Sequence, residues 1–145
     1  HIPGHGLAKS DSHIRTPYVY KNLNYLKRND FKVFKNKKSI FAMTAHIIFS
    51  KIDPTYTVTH SKKLINIIRN EINFKNLIIS DDISMKSLKY STLINTQKAF
   101  QAGCNLVLHC NARMSEMKVV AENSPKLDNF LLKKTLEFYK LVNIK

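Results

Sequence analysis

Apolar residues fall along this chain in two rhythms. Three short runs are nearly continuous: Ile40 to His46 ("IFAMTAH"), Asn76 to Ser80 ("NLIIS") and Asn105 to Cys110 ("NLVLHC"). Unbroken rather than alternating hydrophobicity is how strands covered on both faces read, so each run predicts a buried strand. Between the runs the spacing turns helical. From Ser61 to Ile72, Leu64, Ile65, Ile67, Ile68 and Ile72 make one stripe, with Lys62, Lys63, Asn66, Arg69 and Asn70 opposite. A second helix is predicted from about Thr92 to Ala102, closed by Gly103 as a C′ residue. A third starts at Pro125 and repeats Leu127, Phe130, Leu131, Phe138, Leu141 and Val142. The stretch from Gly4 to about Tyr18 has no period and reads as a loop. Pro3 stiffens one side of it, and Gly4 and Gly6 open backbone conformations closed to other residues.

Strand, helix, strand, helix, strand, helix is a βα succession, which builds a parallel sheet and places the chain in the α/β class. Functional side chains in such sheets gather just past the carboxyl ends of the strands. Those ends read His46, then Asp81-Asp82, then His109-Cys110-Asn111. No internal repeat, linker or low-complexity tract divides the 145 residues, so a single domain is expected.

Composition narrows the function classes. Apolar residues make up 43% of the chain, which excludes a disordered or collagen-like protein. The longest apolar stretch, "IFAMTAHIIF", is too short to cross a bilayer, and no leader-like segment precedes it; a soluble, cytoplasmic protein is expected. Cys104 and Cys110 flank "NLVLH"; in a strand, at ~3.3 Å per residue, they lie about 20 Å apart, too far for a disulfide. The formal charge of +14 invites a nucleic-acid reading. The lysines are scattered, however, with one dense cluster at Lys35, Lys37 and Lys38 and no aromatic residues interleaved. Lysine, asparagine and isoleucine, all with A/T-rich codons, supply a third of the chain, so codon bias accounts for the charge and nucleic acid is not an expected partner.

Candidate chemistry concentrates in two places. The opening "HIPGHGLAKSDSH" holds three of the six histidines, and its "DSH" sets Asp11 two residues before His13. A carboxylate so placed can orient the imidazole and raise its basicity, making a general acid and base; the alternative is a surface Asx-turn. "IISDDISM" puts Asp81 and Asp82 at the rim of the sheet, where a carboxylate serves as nucleophile, metal ligand or acid-base group; the alternative is a helix N-cap from Asp82 or Ser84. His1, His5, His13, His46 and Asp81 could supply metal ligands, but neither an H-x-x-x-H helix pair nor a C-x-x-C pair is present, and no metal or cofactor is expected. His46 and His109 read equally well as hydrogen-bonded core histidines.

Taken in order, "HIPGHG", "DSH", "FAMTAHIIFSKIDP", "LIISDDISMKSL" and "AGCNLVLHCN" resemble glycoside hydrolase family three, in its bacterial beta-N-acetylglucosaminidase branch. The resemblance runs from His1 to about Glu122. It implies a (β/α)8 barrel and a retaining hydrolase of peptidoglycan recycling that removes terminal N-acetylglucosamine from muropeptides. By the same resemblance Asp81 is the nucleophile, His13 the acid/base carried on a mobile loop over residues 1–18, and Asp11 its partner. His1 and His5 belong to the family's K-H-x-P-G-H-G motif, with His1 helping to hold the sugar.

The resemblance covers only the end of that barrel, from the close of its fifth strand to its last helix. A complete barrel needs ~250 residues. Residues 1–145 are therefore expected to be the carboxyl-terminal half of a TIM barrel, from an incomplete sequence, a split gene or a decayed one. The missing amino-terminal half would be its partner, and the isolated chain is expected to fold poorly and to show negligible activity. A second class of reading is a basic fragment that has lost catalysis and binds nucleic acid or another anionic polymer.

Overall fold

The computed structural model describes residues 1–143. Its elements are β1 (Tyr18–Val19), α1 (Leu23–Arg28), β2 (Phe41–Met43), β3 (Ile48–Phe49), α2 (Lys62–Asn70), β4 (Leu77–Asp82), α3 (Thr92–Ala102), β5 (Leu106–Leu108), α4 (Met114–Glu122) and α5 (Asn129–Leu141), with 3-10 turns at Phe31–Phe34 and Val58–His60. All strand pairs are parallel. β2, β4 and β5 form one sheet in chain order, β1 and β3 pair apart from it, and Ile2 bridges to Thr44 on the outer side of β2. Four neighbouring stretches thus follow one another in sequence around the sheet, as they do in a βα barrel wall.

The predicted helices fold where their apolar stripes and caps dictate. Ser61 caps α2 by accepting from Leu64 N–H, and Leu64, Ile65 and Ile68 are the residues it buries. α3 occupies the predicted residues: Ser91 accepts from Ile94 N–H at its start, and Gly103 ends it at φ +113°. A Cβ on Gly103 would come within 3.0 Å of Ile65, so glycine also sets how closely α3 meets α2. The core lies between these helices and the sheet, built on Ile2, Ala45, Ile47, Phe49, Leu64, Ile68, Phe74 and Ile78.

Three expectations change. The run from Ile40 to His46 is not one strand: β2 ends at Met43, Thr44 continues the pairing, and Ile48–Phe49 leaves to pair with β1. β4 extends through both aspartates instead of stopping at Ser80. The third helix begins at Asn129 with Asp128 as its cap, not at Pro125. The structure also adds α1 and α4, which no apolar stripe announces: α1 buries only Leu26 and α4 buries nothing.

α5 lies on the second face of the sheet. Ala42 packs into the core, so Phe41, the preceding residue in the strand, points the other way, and its ring meets Phe138 of α5 edge-on at 5.2 Å. Leu77, paired with Phe41, is fully buried on that face.

Candidate active site

The period of two along β4 sends neighbouring aspartates in different directions. Asp82 turns to local structure. Its Oδ1 accepts from Ser84 N–H, Ser84 O–H and Cys110 N–H, tying the exit of β4 to the loop after β5. It caps no helix, since the next one is capped by Ser91. Asp81 turns to the opposite side, where His1 Nε2 donates to its Oδ2 at 3.0 Å and Asp82 N–H donates to its Oδ1 at 2.9 Å. The approach of His1 is set by its neighbour: Ile2 is buried in the core with its N–H on Met43 O, which leaves His1 on the other face of the extended chain.

Burial alone would raise the Asp81 carboxyl. The hydrogen bonds from His1 and Asp82 N–H outweigh burial and hold Asp81 below the usual carboxylate value. The same bond holds His1 above the usual imidazole value. Near neutral pH Asp81 is therefore an ionised carboxylate, only 13% exposed.

His46 sits beneath this pair, fully buried. Its Nε2–H donates to Asp82 O at 2.9 Å, while Nδ1 accepts from Thr59 O–H at 2.7 Å, and Thr44 O–H in turn reaches Thr59 Oγ1 at 2.9 Å. Burial pushes the His46 imidazole down and favours its neutral form, and Asp82 O, which can only accept, sets the proton on Nε2. Asp53 helps to place Thr59, because its carboxylate accepts from Thr55 N–H, Tyr56 N–H and Ser61 O–H and so shapes the turn leading to it. Nothing in the sequence marks Thr44 and Thr59 for this role, since contacts between positions 13 and 15 apart in different segments follow no spacing rule.

Asp11 and His13 form a second pair. Asp11 Oδ1 accepts from His13 N–H at 2.8 Å and from His13 Nδ1 at 2.9 Å, and these two bonds hold the carboxylate below its ordinary value. The turn and the dyad are thus the same geometry, and the two readings of "DSH" do not exclude each other. The His13 side chain is 76% exposed, and among the described residues no hydrogen bond or ion pair joins it to Asp81. His5 stands beside the first pair, with its ring 5.3 Å from that of His1.

The loop that carries these histidines needs glycine at one position only. Gly4 has φ +153°, and a Cβ there would come within 2.8 Å of Asp30 Cβ. Gly6 has neither constraint: a Cβ would meet Asp30 Oδ1 at an ordinary 3.7 Å.

At the end of β5, His109 Nε2 pairs with Glu116 at 2.9 Å, and Asn111, Thr92 and Arg113 donate to the same carboxylate. These bonds, His109's first, pull Glu116 down to about 2. A cavity of about 380 Å³ opens past β4 between Ser84, Met85 and Lys86 on one side and Asn111, Arg113 and Glu116 on the other. His1 lines another, of about 200 Å³, with Phe41 and Met43. No cluster of three or more His, Cys, Asp or Glu suited to a metal ion occurs among the described residues. No helix among them is long and apolar enough to cross a membrane.

The model of the glycosyl hydrolase family 3 N terminal domain matches residues 1–133. The chain belongs to glycoside hydrolase family 3. The N-terminal domain of family 3 is of the TIM-barrel type, which accounts for the parallel strands in chain order. Among curated proteins the chain is 36% identical to a beta-hexosaminidase of Nitrosomonas eutropha over 116 residues, covering 77% of this chain and 33% of the relative. It is 32% identical to a beta-hexosaminidase of Psychromonas ingrahamii over 145 residues, covering 96% and 41%. Among solved structures, native NagZ from Neisseria gonorrhoeae superposes with a TM-score of 0.80 at 25% identity, covering all of this chain and 45% of that one. The same enzyme in complex with N-trifluoroacetyl-D-glucosamine superposes at 0.77 with 27% identity, covering 92% and 40%. This family 3 chain therefore spans less than half the length of these relatives.

Proposed function

We propose that this chain supplies the nucleophile and the acid/base of a retaining beta-N-acetylhexosaminidase. Asp81 Oδ2 attacks the anomeric carbon of a terminal β-linked N-acetylglucosamine. The C1–O bond to the leaving group breaks, and a covalent glycosyl ester forms. His13, charged at that moment, passes its Nε2 proton to the leaving oxygen, while Asp11 holds Nδ1 and stabilises the imidazolium. In the second half His13, now neutral, takes a proton from water as the water attacks C1 and frees Asp81. Both steps balance without a metal or cofactor. Most retaining glycosidases fix two carboxylates ~5 Å apart; here the second group is an exposed histidine on the segment 1–18, which moves over the bond.

The observation that carries this reading is Asp81 itself: a nearly buried carboxylate at the end of a parallel strand, kept ionised by His1. An ionised carboxylate is what nucleophilic attack requires. In this reading His1, which donates to Asp81, also meets a sugar hydroxyl, and His5 lies beside it.

In this reading residues 1–145 form the carboxyl-terminal half of a (β/α)8 barrel, and the remaining βα units come from a further segment. Closing that barrel requires α5 to give up its place on Phe41, because that face turns inward. The substrate is a muropeptide bearing terminal N-acetylglucosamine, taken up in the cytoplasm; the isolated 145-residue chain has negligible turnover. Family membership and the beta-hexosaminidases among its relatives support the sugar.

The stereochemical course tests the mechanism. Proton NMR of early hydrolysis of an aryl β-N-acetylglucosaminide by the complete protein will show the β-anomer first. The α-anomer appearing first would contradict a covalent intermediate on Asp81.

A further inference from the structure

The loop that carries Asp11 and His13 is anchored at both ends. At its start Ile2 is held in the sheet, N–H on Met43 O at 2.7 Å and C=O taking Ala45 N–H at 3.2 Å. At its exit Thr16, three residues past His13, donates its hydroxyl to Ser87 O at 2.6 Å. Ser87 belongs to the loop that leaves Asp81 and Asp82. Between the pins the hydrogen bonds of residues 11–15 close on Asp11 alone: Ile14 N–H and Arg15 N–H on its carbonyl, His13 on its carboxylate.

The backbone also holds the exit: Pro17 is buried and its C=O takes Ile48 N–H at 3.0 Å as the chain enters β1. Thr16 and Ser87 border a cavity of about 40 Å³ together with Thr57 and His60. Thr57 Oγ1, His60 Nε2 and Ser87 Oγ are all buried there and have no protein partner. A polar cavity of that size has room for water, at ~10–15 Å³ for each molecule's centre. Pro17 ties the exit to β3, and the directional bond from Thr16 ties it to the loop that leaves Asp81.

We infer that Thr16 is a positioning residue for general acid catalysis: its clasp on Ser87 O ties the His13 loop to the loop of the nucleophile and sets where His13 is delivered. The inference rests on the proposed roles of Asp81 and His13. It assigns Thr16 no contact with substrate.

A leaving-group comparison separates this role from mere structure, because protonation matters only for a poor leaving group. In the complete protein, kcat/KM is measured for a 2,4-dinitrophenyl and for a methyl or disaccharide β-N-acetylglucosaminide. Thr16→Val should lower kcat/KM ~10- to 100-fold on the poor leaving group, within what misplacing an acid costs, and leave the dinitrophenyl substrate within about 2-fold. Thr16→Ser, which keeps the hydroxyl, should restore the loss. Thr16→Ala gives the same readout if valine prevents folding. An equal fall on both substrates, no fall on either, or no rescue by serine overturns the clasp. Labelling of Asp81 by a 5-fluoro glycosyl fluoride keeps the two claims apart: it persists in Thr16 variants whatever the fate of the clasp, and its absence in the wild type strikes the proposed function instead.

Discussion

His1 and Asp81 stand eighty residues apart and meet at 3.0 Å at the end of the sheet. Their association makes a testable pH window. His1 is raised above 6.5, so its contribution is complete below 6.5 and is lost as pH rises through the folded value. Asp81 is depressed below 3.8, so its contribution is present above 3.8 and is lost as pH falls through the folded value. The pair is fully charged only between those limits. An NMR titration of the His1 ring should give a midpoint above 6.5, returning toward 6.5 in Asp81→Asn; an unchanged midpoint would mean that the pair does not form in solution.

His46 bridges two elements while uncharged, so its loss is felt in stability first. His46→Ala removes the two bonds its ring makes, to Asp82 O and Thr59 O–H, and opens a cavity at a fully buried site. A cost of ~2–4 kcal/mol follows, read as a lower urea midpoint. Thr59→Val removes the hydroxyl that joins Thr44 to His46, two bonds of the same chain, and should cost about 1–3 kcal/mol.

The two aspartates should part company under mutation. Asp82→Ala unmakes the bonds to Ser84 and Cys110 N–H and should destabilise by ~1–3 kcal/mol, yet leave Asp81 open to covalent labelling. Asp81→Asn should abolish turnover while changing the unfolding midpoint far less.

Glu116 predicts the acid limb of stability. It is held near 2 by His109, Asn111, Thr92 and Arg113. A depressed carboxylate lends stability that is present above its unfolded value, near 4.5, and is lost as pH falls toward 2. Urea midpoints measured from about pH 5 to about pH 2.5 should fall less steeply in Glu116→Gln than in the wild type; parallel curves would contradict the pairing with His109.

What the sequence made readable was what period and caps encode. The stripe of α2, the Gly that ends α3, and the βα order all rest on local spacing, and each stands in the structure. Segments without a strong stripe were not readable. α4 buries no residue, and the pairing of Tyr18–Val19 with Ile48–Phe49 exists only once the chain has folded. The strand run at Ile40 misled because apolar residues continue after the backbone leaves β2, so Ala45 and Ile47 fill the core without belonging to that strand. In the site, Asp11 with His13 could be seen because they are neighbours. Resemblance named His1 and Asp81 but not their contact, and the Thr44–Thr59–His46 chain came from neither spacing nor resemblance. Strand alternation could have separated Asp81 from Asp82, had β4 been expected to run on through them.

The most direct measurement is mass spectrometry of the complete protein after inactivation with 5-fluoro-N-acetylglucosaminyl fluoride. The account predicts one added sugar residue, on the peptide carrying Asp81, and none in Asp81→Asn. Inactivation without that added mass, or with the mass on another residue, would contradict it.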